Sequence, residues 1–165
     1  MKSYQLGSLM LGLVASIASF AAEPAGIAPR PDRTQYFVTS FTESLAVGAT
    51  LVSHDQVQRL FGSDVDKDYV VVEVGFYSKD RSTFPVRVSD FTLRLRKRKE
   101  WVGAVDPNSL VEKLKCTIRA VTASLPEIPT NRAVAGYMFF PATLPGGQYE
   151  LTYKGNGAWL SLPLR

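Results

Sequence analysis

Apolar residues recur along much of this chain at every second position, and that period predicts strands. Tyr36 and Val38 alternate with Phe37, Thr39 and Phe41, while Leu45, Val47, Ala49 and Leu51 share one face of a second run. Residues 69–77 (YVVVEVGFY) carry the strongest strand signal. A Val-rich run with Glu73 as its one charge suits a strand buried on one face and partly covered on the other. Val86 and Val88 set one phase and Phe91, Leu93 and Leu95 the opposite one. A bulge, or a break between two strands, therefore falls at Ser89-Asp90. Three more runs, 133–140, 148–153 and 159–164, are separated by Pro145-Gly146-Gly147 and by residues 154–157 (KGNG). Both separators are turn chemistry.

Two stretches have helical spacing instead. Ser53-x-x-Gln56 is a capping box, followed by Val57, Leu60 and Phe61 with Gly62 as the stop. A helix of about two turns does not stand alone. Its apolar face must pack on a sheet or plug one end of it. Asp106-Pro107 opens the second helix, with Asp as the cap and Pro at the first helical position. Leu110, Val111 and Leu114 mark its apolar side, and the spacing continues to Ile118 and Val121. Residues 123–132, with two prolines, read as loop. Six or seven short strands with turns between them describe an all-β antiparallel sandwich, with the helices as two short insertions at its ends.

The first 33 residues follow a different pattern. Lys2 precedes an uncharged apolar stretch from Leu6 to Phe20, and Ser19 and Ala21 flank Phe20 as a small–x–small cleavage site. This reads as a signal peptide over 1–21, cut between Ala21 and Ala22. The rival, an uncleaved anchor, needs about 20 apolar residues, and the run is shorter. Residues 22–33 hold three prolines and read as a flexible leader, which places the domain at 34–165. Export to the periplasm or beyond follows. Loss of Lys2 leaves 18 basic and 15 acidic residues, a mild +3 that calls for no nucleic-acid partner. The single cysteine, Cys116, excludes an internal disulfide. Between Leu114 and Ile118 it reads as a small buried hydrophobe.

The sequence resembles the uncharacterised bacterial exported domains with an immunoglobulin-like sandwich fold. The likeness rests on four segments in order: 69–74 (YVVVEV), 86–93 (VRVSDFTL), 136–141 (GYMFFP) and 149–153 (YELTY). The resemblance implies an immunoglobulin-like β-sandwich in the envelope or outside the cell. It implies no activity, since fold alone does not give function.

Candidate chemistry is sparse. His54 is the only histidine, which removes histidine-clustered metal sites and leaves at most one triad base. No G-x-S-x-G is present. Asp64, Asp66 and Asp68 alternate as a calcium loop opens. Tyr69 and Gly75 then stand where such a loop needs Gly and a bidentate Glu. A polar loop before a strand is the better reading. Neither a metal, a cofactor nor a catalytic residue is expected. The most unusual feature is Arg94, Arg96, Lys97, Arg98 and Lys99, with Trp101 next to it. Such a stripe is a candidate patch for anionic lipid or polysaccharide. The competing reading is charge on an edge strand that blocks sheet-to-sheet aggregation. Trp159, Tyr153, Tyr149 and Tyr137 read chiefly as core and cross-strand pairs. The expectation is a non-catalytic module that contacts an envelope or extracellular protein, with the anionic patch as the alternative.

Overall fold

A computed structural model describes residues 23–61, 65–96, 98–114, 118–141 and 147–165, leaving aside the side chains of Asp66 and 111–118. The expected signal peptide, the Lys97 of the basic stripe, and Cys116 lie outside the described residues.

The chain is mostly β, and its sheets are antiparallel. The first sheet has the order β1 (Val38–Phe41), β2 (Leu45–Leu51), β3 (Tyr69–Ser78) and β8 (Val134–Pro141). The second has the order β10 (Ala158–Leu164), β9 (Tyr149–Gly155), β5 (Phe91–Leu95) and β6 (Val102–Gly103). A small pair joins β4 (Phe84–Pro85) to β7 (Pro129–Thr130). Period-two alternation sets which side chains meet. Val47, Val74, Phe76 and Met138 from the first sheet share one core with Phe91, Leu93, Leu151, Tyr153 and Leu162 from the second. Phe76 sits at the seam, its ring centroid 5.6 Å from that of Phe91 and 5.5 Å from that of Tyr153. The phase change at Ser89-Asp90 is a break: a 3-10 turn over Val88–Asp90 separates β4 from β5.

Four short helices fill the two insertions: α1 (His54–Phe61), α2 (Val65–Asp68), α3 (Pro107–Leu114) and α4 (Ile118–Thr122). The Asp106 cap forms, and so does one half of the Ser53-x-x-Gln56 box, with the Ser53 hydroxyl donating to the Gln56 side chain. The Ser53 backbone N–H donates to the Gln56 side chain, and Asp106 accepts from the Asn108 N–H at 3.0 Å. The helices lie on a face of the sandwich rather than at its ends. Val57, Phe61, Val65, Leu110 and Ala120 pack on Tyr69, Val71 and Phe139, the outer face of the first sheet. β3 is consequently buried on both sides, as its Val-rich run suggests. The free edge of β8 is also covered. Ile27 donates to Ala135, Leu125 to Tyr137 and Val105 to Phe139, so three separate segments use hydrogen-bonding groups that would otherwise invite another strand.

The start of the described chain covers more of that face, leaving Phe41 on the edge strand β1 exposed. Tyr36 is buried over Gly48 and Gly75, where an added Cβ would strike its ring. Arg30 donates from Nε and Nη2 to the two Glu73 oxygens at 2.8 and 2.7 Å, and Tyr77 donates its hydroxyl to the Arg30 carbonyl. Residues 23–33 thus run over the first sheet, with Ile27 bridged to Ala135.

Candidate functional site

The second sheet presents its outer face differently. Leu160, Leu162 and Leu164 turn inward on β10, so Trp159, Ser161 and Pro163 turn outward. By the same alternation Thr92 and Arg94 on β5, and Glu150, Thr152 and Lys154 on β9, share that face. None of the four helices packs there, since all contribute to the cluster on the first sheet. The chain contains two tryptophans. Both are on this face, Trp159 being 72% exposed and Trp101 42% exposed.

A cation lies against each indole. Lys154 and Trp159 are opposite each other in the β9–β10 ladder, with the ammonium 4.5 Å from the ring centroid. The Arg94 guanidinium is 4.4 Å from the ring of Trp101. Arg94 also donates from Nε and Nη2 to Glu150 Oε2, its cross-strand neighbour, at 3.0 and 2.7 Å. Ser161 donates to the other oxygen of Glu150 at 2.5 Å. The Ser161 hydrogen bond, with Arg94, holds the Glu150 carboxyl below its ordinary range against the opposing effect of burial. Thr152, in the middle of the face, is only 2% exposed.

The basic stripe divides into two parts. Arg94 belongs to the sheet face, paired and stacked. Arg96, Arg98 and Lys99 are exposed at the tip of the β5–β6 hairpin, which turns through an Arg98 N–H to Leu95 carbonyl bond of 2.8 Å. Arg96 reaches Gln148 through its backbone N–H. β5 is an inner strand, lying between β9 and β6. Protection of a sheet edge therefore does not account for Arg94. Trp101 joins the stripe as the sequence suggests, whereas Trp159 is an outward residue and not core. Lys154 was not singled out by the sequence; the Leu160/Leu162/Leu164 alternation was the signal that could have placed its partner outside.

The other candidates are structural. His54 begins α1 and is exposed. Asp68 is exposed at the end of α2, so the expected loop before β3 contains a helical turn; Asp64 lies outside the described residues. Among the described residues no group of three or more His, Cys, Asp or Glu side chains is placed to hold a metal ion. A cleft of about 540 Å³ lies between Val88, Ala104, Leu125 and the acids Glu23, Asp106 and Glu127. Two of those acids already bind backbone: Asp106 caps α3, and Glu127 accepts from the Val88 N–H at 2.6 Å. Tyr149 and Tyr153 are core, as expected. Burial, aided by the charge of Asp90, pushes the Tyr153 hydroxyl up to about 12.

No protein-family model and no curated protein matches the chain. Among solved structures, the crystal structure of a "putative lipoprotein" from Bacillus subtilis is similar at 20% identity and a TM-score of 0.44. The similarity covers 76% of this chain and 37% of that one. No helix among the described residues is long and apolar enough to cross a membrane.

Proposed function

We propose that this chain is a non-catalytic exported module of the cell envelope, acting by contact through the open outer face of its second sheet. One observation carries this reading: both tryptophans, a residue type usually well buried, stand exposed together on one sheet face. The charged clusters are structural: Arg30 ties the start of the described chain to Glu73 on β3, and Arg94 ties β5 to Glu150 and Ser161 on β9 and β10. The domain is read as immunoglobulin-like because β3 pairs with β8 and β5 with β9, while β10 returns beside β9. Apart from the small β4–β7 pair, the chain passes between the two main sheets after β3, β6 and β8, as an immunoglobulin sandwich does. The family of uncharacterised bacterial exported domains is proposed on the four sequence segments alone. Export rests on the signal-like residues 1–21. The expected partner is an envelope or extracellular protein. No cofactor and no nucleic acid enter this reading.

A second reading, binding of an anionic lipid or polysaccharide, is favoured by one feature. Arg96, Arg98 and Lys99 are exposed at a hairpin tip that adjoins Trp101. A cross-linked pull-down of the tagged chain from its native envelope fraction, at low and high salt, separates the two. One protein recovered at both salts supports the protein-contact reading. Lipid or polysaccharide recovered only at low salt, and lost in R96E/R98E/K99E, supports the second. Retention in the cytosol with residues 1–21 still attached would overturn both.

A further inference from the structure

We propose that the outer face of the second sheet is a platform for an acidic polysaccharide, which lies across Trp101 and Trp159 with its carboxylates on Lys154 and the basic hairpin tip. The inference rests on the anionic-polymer reading above and specifies its ligand and path. The ladder registers place Trp101 beside Arg94, and Arg94 opposite Glu150. Trp159 is opposite Lys154, four residues further along β9 and at the far edge of the sheet. Four strand steps and three strand spacings put the two positions roughly 20 Å apart, at diagonal corners of one face. A single small ligand does not bridge such a span, whereas an extended chain of sugar rings does.

The chemistry at each corner suits an acidic sugar. The apolar C–H face of a pyranose ring stacks on an indole, and a cation beside the ring meets a carboxylate on the same sugar. Between the corners Thr92 offers a hydroxyl along the path, while the Ser161 hydroxyl is held on Glu150. Glu150, fixed from both sides by Arg94 and Ser161, is a positioning residue that holds Arg94 against Trp101. Arg94, Arg96, Arg98, Lys99 and Lys154 outnumber Glu100 and Glu150 on the face and tip, so the local field attracts polyanions although the whole chain is only mildly basic. An anionic membrane would meet the same cations. It would favour aliphatic and aromatic side chains gathered at one end of the domain, and these indoles are spread across a sheet face.

Isothermal titration calorimetry of the exported chain tests the platform with three probes: polygalacturonate, uncharged dextran and phosphatidylglycerol vesicles. Polygalacturonate is expected to bind in low salt and dextran at least about tenfold more weakly. Trp159→Ala and Trp101→Ala are each expected to weaken polygalacturonate about tenfold, as central aromatic anchors do. Trp159→Phe should keep most of the affinity because a ring remains, and Phe41→Ala, elsewhere on the surface, should change nothing. Thermal melts check that the variants stay folded. Three results would overturn the platform. If R96E/R98E/K99E abolishes binding while both alanine variants bind normally, the anionic-polymer reading survives and the platform does not. Binding to vesicles without binding to polygalacturonate would make the ligand a membrane. No binding to any probe would remove both the platform and the polymer reading, and leave the protein-contact reading to the pull-down.

Discussion

The two sheets of this domain share one core but treat their outer faces in opposite ways. On the first sheet, four helices, Tyr36 and residues 23–33 cover the outward side of β2, β3 and β8, the β8 edge is occupied, and only the edge strand β1 keeps an exposed ring, Phe41. On the second, threonine, serine, paired charges and two indoles face outward with no helix above them. A sheet buried on both faces contributes mainly to stability, because each added layer removes apolar area from water. A sheet left open on one face contributes one layer of core and keeps the other for contact. The comparison assigns stability to one face and recognition to the other, and substitutions on the two faces should separate accordingly.

The largest expected effect is on the closed face. Phe139→Ala removes a ring packed 5.5 Å from that of Phe61 beneath the helices. It should cost about 3–5 kcal/mol in urea unfolding and expose the amides of α1 and α4 to hydrogen exchange. A smaller loss follows from filling the space under Tyr36. Gly75→Ala puts a methyl group against its ring and should cost about 1–3 kcal/mol by the same assay. Glu73→Gln leaves Arg30 without its carboxylate partner. Because Arg30 remains 30% exposed, the expected loss is about 1–2 kcal/mol.

On the open face the effects on stability should nearly vanish. Glu150 is held below its usual range, so its contribution to stability is fully present above the unfolded value near 4.5 and is lost as pH falls through the lower folded value. Glu150→Gln should flatten unfolding stability below pH 4.5 by at most about 1 kcal/mol. Trp159→Ala should change stability by less than about 0.5 kcal/mol. A loss comparable to that of Phe139→Ala would show that the indole is structural and would erase the contrast between faces.

What the sequence made legible was local or periodic. The Ser53-x-x-Gln56 and Asp106-Pro107 caps act within one helical turn; the second forms, and the first does so through its Gln56 half. The KGNG turn also depends on adjacent residues: Asn156 and Gly157 have φ of 53° and 70°, as a two-residue hairpin turn requires. The ten-residue β3 announced itself through its valines. Features set by distant parts of the chain were hidden. Nothing near Glu73 indicates that Arg30, 43 residues earlier, will meet it. Helix spacing identifies the buried faces of α1 and α3 but not which sheet face receives them. For the site, Trp101 was legible as a neighbour of the basic stripe. The division of that stripe between a paired Arg94 and an exposed tip depends on the β5–β9 register. Trp159 is different, because the three leucines of β10 set its phase in plain view. Its aromatic character suggested core, and alternation was the better guide.

The most direct test of the account is retention of the W101A/W159A double variant on the native envelope fraction, compared with the unaltered chain. The account predicts that the variant melts normally and is no longer retained, because the open face has lost both of its aromatic anchors. Undiminished retention of a folded double variant would contradict it, and would move the contact surface away from the second sheet.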